Sequence, residues 1–481
     1  MGLDSFFKLT ERGTNVPTEV RAGVASFLTM SYNLLVNPQI LSLCGISTSD
    51  VVVATAASSA AASILCGVLG NLPMGLCPGM GLSAYLTFGL VLHGSLTKVQ
   101  ALTCCFTAGF IQLVVTLTGI SSLLMRLTPH HVKLAIVVGM GLLIALIGMV
   151  QVDLVVASGD ASLVALGDMT DWRIWVVLGG LMLIGTLTYH QIEGGILMGI
   201  VLLTVGYWQA TGEYPERVAE LPVLEASVRD NINFSALNGD CVLPILAFLF
   251  VNLFDVSGVM FGLSSLAGIQ GPNAETPRGE WGFHASALGT MMAACMGCSP
   301  IIVAVENAAG VKEGGRTGLT AVVVGLLFAA SLFLAPLFGN IPKCATAPVL
   351  IMVGAMMTNE SKNVDWNDMK QAVPAFLCLS MMPFTYSIPN GILFGMGASF
   401  VFFFTSGDAF GMCCKKPKDG ESQEYDGLVG GPADGQSKFL ADVPFVRRPS
   451  LILAKEDVDR EEAGTYGGTN GGGFAVETGT F

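Results

Sequence analysis

Charge is scarce in this chain. Asp, Glu, Lys and Arg make up 12% of the 481 residues, about half the ~25% usual in soluble domains. So little charge cannot cover a water-facing surface of that size, and 52% hydrophobic residues with a mean hydropathy of +0.65 place the chain in a membrane. Other absences narrow the function. The 12 cysteines show no zinc-type spacing. Most of them (Cys44, Cys66, Cys104, Cys105, Cys241, Cys295, Cys378) fall inside apolar runs, where cysteine is a small packing residue. No Walker loop, Ser-His-Asp arrangement or metal-ligand cluster stands out, so no enzyme, metal or cofactor is expected. His93, His130, His131 and His190 lie at the ends of apolar runs, as interfacial residues do. A net charge of −13 argues against a nucleic-acid partner. The first 18 residues are mixed polar, and no cleavable signal peptide is expected.

What the chain has instead is a series of apolar segments. Residues 134–150, 174–187, 319–342 and 372–406 contain no charge. Roughly 20 apolar residues cross a bilayer as a helix, and we count about fourteen spans between positions 19 and 407, some short or broken. The expected fold is an all-α polytopic membrane protein. Its longest polar interruption, 207–240, divides the spans into two sets of about seven. An odd number per set means the second enters the membrane upside down, the condition for an inverted repeat. The expected boundaries are a cytoplasmic N-terminus at 1–18, a first repeat at 19–210, an extracellular linker at 211–240, a second repeat at 241–408 and a disordered cytoplasmic tail at 409–481. Lys8, Arg12, Arg21, Arg126, Lys133, Arg278, Lys312, Arg316, Lys362, Lys370 and Lys415 all fall on the side of the termini. By the positive-inside rule that side is the cytoplasm, and the plasma membrane is the expected location. A sequon at Asn233 lies on the other side. Cys413 and Cys414, before Lys415, are a candidate palmitoylation site.

Two interruptions carry the functional reading. "MGLCPGMGLSAY" begins at Met74 and "MGCSPIIVAVEN" at Met296, 222 residues later. Paired Gly/Pro breaks in the two halves of a transporter point to its binding site. Proline lacks an amide hydrogen, so a helix is expected to start at or just after each one, leaving free N–H groups in mid-membrane. Lipid cannot satisfy these, so the breaks must face protein or a polar cavity. Past the first break, Gly79 and Gly81 allow close backbone approach, and Ser83 supplies a hydroxyl. Tyr85 either faces the cavity or packs. Past the second, Ile302 lies in the break, and Glu306 is a carboxylate at membrane depth with the Asn307 amide beside it. An intramembrane acid is a functional-site candidate by default; the alternative is an ion pair with Lys312 or Arg316. In "FLFVNLFDVSG" (248–258), Asn252 and Asp255 are three apart on one helix face, and Asp255 is a second intramembrane acid. Its alternative is bonding to backbone near Gly258. Glu306 and Asp255 are the candidate proton carriers, and a proton gradient the driving force.

At these residues the chain resembles the AzgA-like purine permeases of the nucleobase–ascorbate (nucleobase:cation symporter-2) superfamily. The resemblance covers 13–407 and is carried by 13–41, "CPGMGLSAYLTFGLV", "FLFVNLFDVSGV", "ATAPVLIMVG" and above all the run from Glu306 to Gly318. It implies fourteen spans in two inverted repeats, a core domain and a gate domain, and a short strand plus half-helix in spans 3 and 10 with substrate between them. It also implies proton-coupled import of adenine, guanine and hypoxanthine, with Glu306 binding purine and Asp255 as the second acid of the span-8 motif. Ser83 stands where relatives read asparagine, and Asn252 and Val256 where they read an acid and threonine. A homodimer is open to such a chain. Two other readings remain: an inorganic-anion transporter on the same plan, and a non-transporting purine receptor.

Overall fold

A short antiparallel pair, buried among helices, organises the molecule. The computed structural model describes residues 2–119, 129–158, 164–190, 192, 194–212, 214–215, 228–271 and 276–406. The expected tail, with Cys413, Cys414 and Lys415, lies outside these, as do Arg126 and residues 216–227 of the linker. Seven helices among the described residues are long and apolar enough to cross a membrane, and Met80–Leu92 and Gly195–Thr211 are shorter apolar ones.

Strand β1 is Leu76–Pro78. A hairpin of β2 (Val155–Ala157) and β3 (Val164–Leu166) follows, and β4 is Ile301–Val303. β1 pairs with β4 across the two halves of the chain, Leu76 opposite Val303, Cys77 opposite Ile302 and Pro78 opposite Ile301. Gly79 N donates to Pro300 O at 3.0 Å and Ala304 N to Gly75 O at 3.3 Å, extending the ladder at both ends. Each strand then gives way to a short helix: Met80–Ala84 after β1, and a turn at Val305–Asn307 leading into Ala308–Lys312 after β4.

The two breaks therefore meet, but their prolines do not correspond. Cys77 and Ile302, the paired strand centres, are 225 positions apart, as are Met80 and Val305, the first residues of the two helical stretches. The Met-Gly-x-x-Pro match is three residues out of that register. Pro78 ends β1 and the helix follows two residues later, as expected. Pro300 precedes β4 instead, so the helix expected just after it begins only at Val305. The structural counterpart of Glu306 is Gly81.

Sequence chemistry accounts for the flanking helices. Asn15 caps Val16–Met30, accepting from Thr18 N at 3.0 Å, with Pro17 in the first turn. The helix breaks at Ser31 and Tyr32 and resumes as Asn33–Leu41. Thr97 and Gln100 form a capping box on Lys98–Leu117. Helices pack in two groups. Val16–Met30 and Thr48–Leu65 lie against Gly318–Ser331, while Lys98–Leu117 packs on Val242–Leu266 and Glu280–Cys295. These surround the strands. In the other group His130–Gln151 packs on Lys343–Thr358 and Met369–Thr385, with Trp172–Tyr189, Gly195–Thr211 and Ile388–Thr405 completing it. The groups touch where Met80–Ala84 meets His130–Gln151. Gly81 makes that contact: a Cβ there would lie 2.9 Å from Met140 Sδ.

Candidate functional site

A two-stranded sheet leaves two outer edges, which in a membrane must find partners. Hydroxyls supply them. Ser63, from helix Thr48–Leu65, accepts from Leu76 N at 2.8 Å and donates to Leu76 O at 3.2 Å. On the opposite edge Thr290 accepts from Ile301 N at 3.0 Å, and Ser286 donates to Ile301 O at 2.6 Å. Sequence reasoning missed all three, since isolated Ser and Thr are common in apolar helices and usually bond back to their own backbone.

Glu306 lies in the turn that follows β4, partly buried. Its Oε1 accepts from the Tyr32 hydroxyl at 2.6 Å, and its backbone oxygen from Thr29 Oγ1 at 3.1 Å. Neither Lys312 nor Arg316 pairs with it; the only side-chain partner among the described residues is Tyr32. Tyr32 sits in the break of the first span, and the polar trio Ser31-Tyr32-Asn33 inside an apolar run was the signal that could have found it. One carboxylate oxygen is thus held by a phenol, and apart from the residue's own backbone N–H no other described group donates to the carboxylate.

Asn307 is placed differently. Its side chain is fully buried; Oδ1 accepts from Gly75 N at 2.7 Å, and Nδ2 donates to Gly75 O at 2.8 Å and Ala304 O at 2.6 Å. It clamps the chain entering β1 to the chain leaving β4. Ser83 is also fully buried, behind the strands. It donates to Asn37 Oδ1 at 2.6 Å and pairs with Ser299 Oγ at 2.7 Å, while Asn37 donates to Thr55 Oγ1 at 2.8 Å. Gly79 and Gly81 are buried backbone; a Cβ on Gly79 would sit 3.0 Å from Ile302 Cδ1. Ile302 is partly exposed. Tyr85 packs, its ring 5.1 Å from that of Phe248.

Asn252 and Asp255 diverge. Asn252 points inward and donates to Gln112 Oε1 at 2.6 Å; Gln112 in turn donates to Ser286 Oγ at 3.3 Å, joining the chain of contacts that holds β4. Asn252 Oδ1 has no partner among the described residues. Asp255 is partly exposed, in a helix that runs unbroken past Gly258, and no described group bonds to it. Beside it, the Phe254 ring carries the Lys133 ammonium 5.4 Å from its centroid. The site thus brings together Glu306, Tyr32 and Ile302 at the strand pair with backbone from both breaks. Asp255 stands on a helix packed against β4 and the Glu306 turn, and Ser83, Asn252 and Asn307 form the scaffold behind.

Below the half-helix, sequence reasoning also missed Glu19. Its fully buried carboxylate accepts from Arg316 N (2.9 Å), Thr317 N (3.2 Å), Thr320 N (3.3 Å) and Thr320 Oγ1 (2.6 Å). This caps the Gly318–Ser331 helix with a negative charge at the positive end of its dipole.

The arrangement has known relatives. Residues 17–394 match the Permease family. The chain is 35% identical over 394 residues to the adenine permease AdeP of Escherichia coli, covering 82% of this chain and 88% of that one. It is 34% identical over 399 residues to the guanine/hypoxanthine permease PbuO of Bacillus subtilis, covering 81% and 92%. Among solved structures, the transmembrane domain of the cyanobacterial bicarbonate transporter BicA matches with a TM-score of 0.54 at 16% identity, over 80% of this chain and 97% of that one. The fold is that inverted-repeat transporter fold, and the protein is a membrane transporter rather than an enzyme. By the length and identity of these matches, the chain belongs to the Permease family.

Proposed function

We propose that the protein imports purine nucleobases, with adenine, guanine and hypoxanthine as the class, coupled to proton entry. The observation that carries this is Glu306: a carboxylate at the start of a half-helix, one oxygen held by Tyr32 at 2.6 Å, with no other side chain among the described residues donating to it. A purine presents adjacent ring and exocyclic N–H groups that such a carboxylate accepts, and the free carboxylate of Asp255 on the neighbouring helix is the proton carrier. Ile302 and Gly79 offer the apolar and backbone surface against which a flat base lies. Ser83, Asn252 and Asn307 act on substrate choice through the scaffold. The core carrying the strands moves against the gate group by sliding at Gly81 and Met140. The names of the relatives support the substrate class. With the termini in the cytoplasm of a plasma-membrane homodimer, the inward face is the one bearing Lys8 and Arg12.

The test is uptake of labelled adenine, guanine, hypoxanthine, xanthine, uracil and bicarbonate in cells lacking their own permeases, at two external pH values. Purine uptake that rises in acid and is abolished by Glu306→Gln at equal surface expression is the expected result. Bicarbonate flux without purine flux assigns the anion reading instead. Purine binding without any flux assigns the receptor reading.

A further inference from the structure

Away from the strand pair, on the face that bears the N-terminal segment, an open cavity of about 620 Å³ is lined by Lys8, Arg12, Arg278 and Arg316, with Glu11 the only acid on its wall among the described residues. Lys8 already has a partner, Glu11 at 2.9 Å. The three arginines have no carboxylate partner within ion-pair distance among the described residues. Arg12 spends one guanidinium nitrogen on Asn71 O and Arg316 O, both at 2.7 Å, and Arg316 reaches only Arg12 O at 3.5 Å. No described group bonds to the Arg278 side chain. The other acid near Arg12, Glu19, is occupied by the backbone of the Gly318–Ser331 helix. Burial, with the charge of Arg278 adding to it, draws Arg12 below the usual guanidinium range against the pull of Glu11 and Glu19. Like charges gathered this way, with unused planar forks of N–H donors, are complementary to a multiply charged oxyanion.

We infer that this cavity binds a phosphate group, through Arg278 and Arg316 with Arg12 at its floor. The walls come from the N-terminal segment, from Asn71 at the end of one span, from Gly268, Ile269, Pro277 and Arg278 between two others, and from Arg316 just before the Gly318–Ser331 helix. A phosphate seated there ties both halves of the chain together on one face. None of Glu306, Asp255, β1 or β4 lines it, so it is separate from the transport site. A phosphate ester of this kind arrives either as the headgroup of an anionic phospholipid or as a free phosphate compound.

The experiment uses the full chain purified in neutral detergent and reads thermal unfolding. One arm adds inorganic phosphate against potassium chloride of equal ionic strength. The other adds phosphatidylglycerol against phosphatidylcholine. In the wild type at least one of the two probes raises the midpoint above its control, and the arm that responds names the source. The Arg278→Gln/Arg316→Gln double variant requires about tenfold more of that probe for the same shift, since it loses the two exposed forks. Should the double variant not purify folded, Arg278→Gln alone carries the comparison, because its side chain holds nothing in place. The inference is overturned if neither probe exceeds its control, or if the variant responds like the wild type.

Discussion

Asn307 and Glu306 are adjacent in sequence, and their replacements should fail in different ways. Asn307→Ala removes three hydrogen bonds of 2.6–2.8 Å from a fully buried side chain. Two of the groups left behind keep weaker partners: Gly75 O still accepts from Ala304 N, and Ala304 O from Asn307 N, both at 3.3 Å. Gly75 N keeps none. An orphaned buried N–H costs about 1–3 kcal/mol and each lost bond to a carbonyl about 1 kcal/mol. The sum is about 3–5 kcal/mol, enough to unfold a marginal protein. Glu306→Gln keeps an acceptor for the Tyr32 hydroxyl and should cost about 1 kcal/mol or less. Thermal unfolding of detergent-purified protein, read beside uptake, separates the two. Asn307→Ala should lower the midpoint steeply and reduce surface expression. Glu306→Gln should leave both near wild type while uptake disappears. An Asn307→Ala variant that is as heat-stable as wild type and only reorders substrate preference would refute the clamp and return Asn307 to the ligand.

Asp255→Asn should abolish the dependence of uptake on external pH while purine binding, measured on purified protein, persists; binding lost together with coupling would make Asp255 a substrate ligand instead. Gly81→Val should place methyl groups against Met140 and block uptake at normal surface expression, and Met140→Ala should restore part of it. Glu360, in the turn between helices Lys343–Thr358 and Met369–Thr385, is 7% exposed, and burial pushes its carboxyl up to about 7 against the opposing pull of Asn363 and Lys362. Its unfolded value is near 4.5, so the folded state holds the extra proton between those values, and this contribution to stability is present below pH 4.5 and lost as pH rises through 7. Glu360→Gln should flatten the fall in thermal midpoint over that window, and an unchanged slope would show that another group sets it.

Much of the fold was legible because membrane insertion writes it in the primary sequence. Charge-free runs of bilayer length and paired breaks are consequences of leaving no backbone group unsatisfied in lipid. The breaks were located correctly, and the letters that drew attention to them were not symmetry equivalents. Pro78 ends one strand and Pro300 precedes the other, so the repeat is aligned by β1 and β4, 225 positions apart. Proline forbids a hydrogen bond at one position, but where a strand sits relative to it depends on the partner strand, which lies far away in sequence.

The site was legible to the depth of its charges and no further. Glu306 and Asp255 stood out because an acid in an apolar run has few structural excuses, and neither carboxylate is paired with a cation among the described residues. Ser83, Asn252 and Asn307 were singled out on the same footing, yet neutral polar side chains can bond to one another and to backbone, and these do: Ser83 with Asn37 and Ser299, Asn252 through its amide nitrogen with Gln112, and Asn307 with Gly75 and Ala304. The same reasoning explains what was missed. Tyr32, Ser63, Ser286 and Thr290 carry no charge, and their roles exist only once two strands from opposite halves of the chain meet. Altered substrate choice in this chain should therefore act through the seating of the strands. Ser83, two steps from β1 through Gly79 and tied by Asn37 and Ser299 to both halves, changes where the Gly79 backbone sits. Asn252, acting through Gln112 and Ser286 on Ile301 O, changes where Ile302 sits. Ser83→Asn and Asn252→Asp should each shift the relative uptake of adenine and guanine, and the two shifts should not add, because one strand pair transmits both. Strictly additive effects would mean that each side chain meets the base on its own.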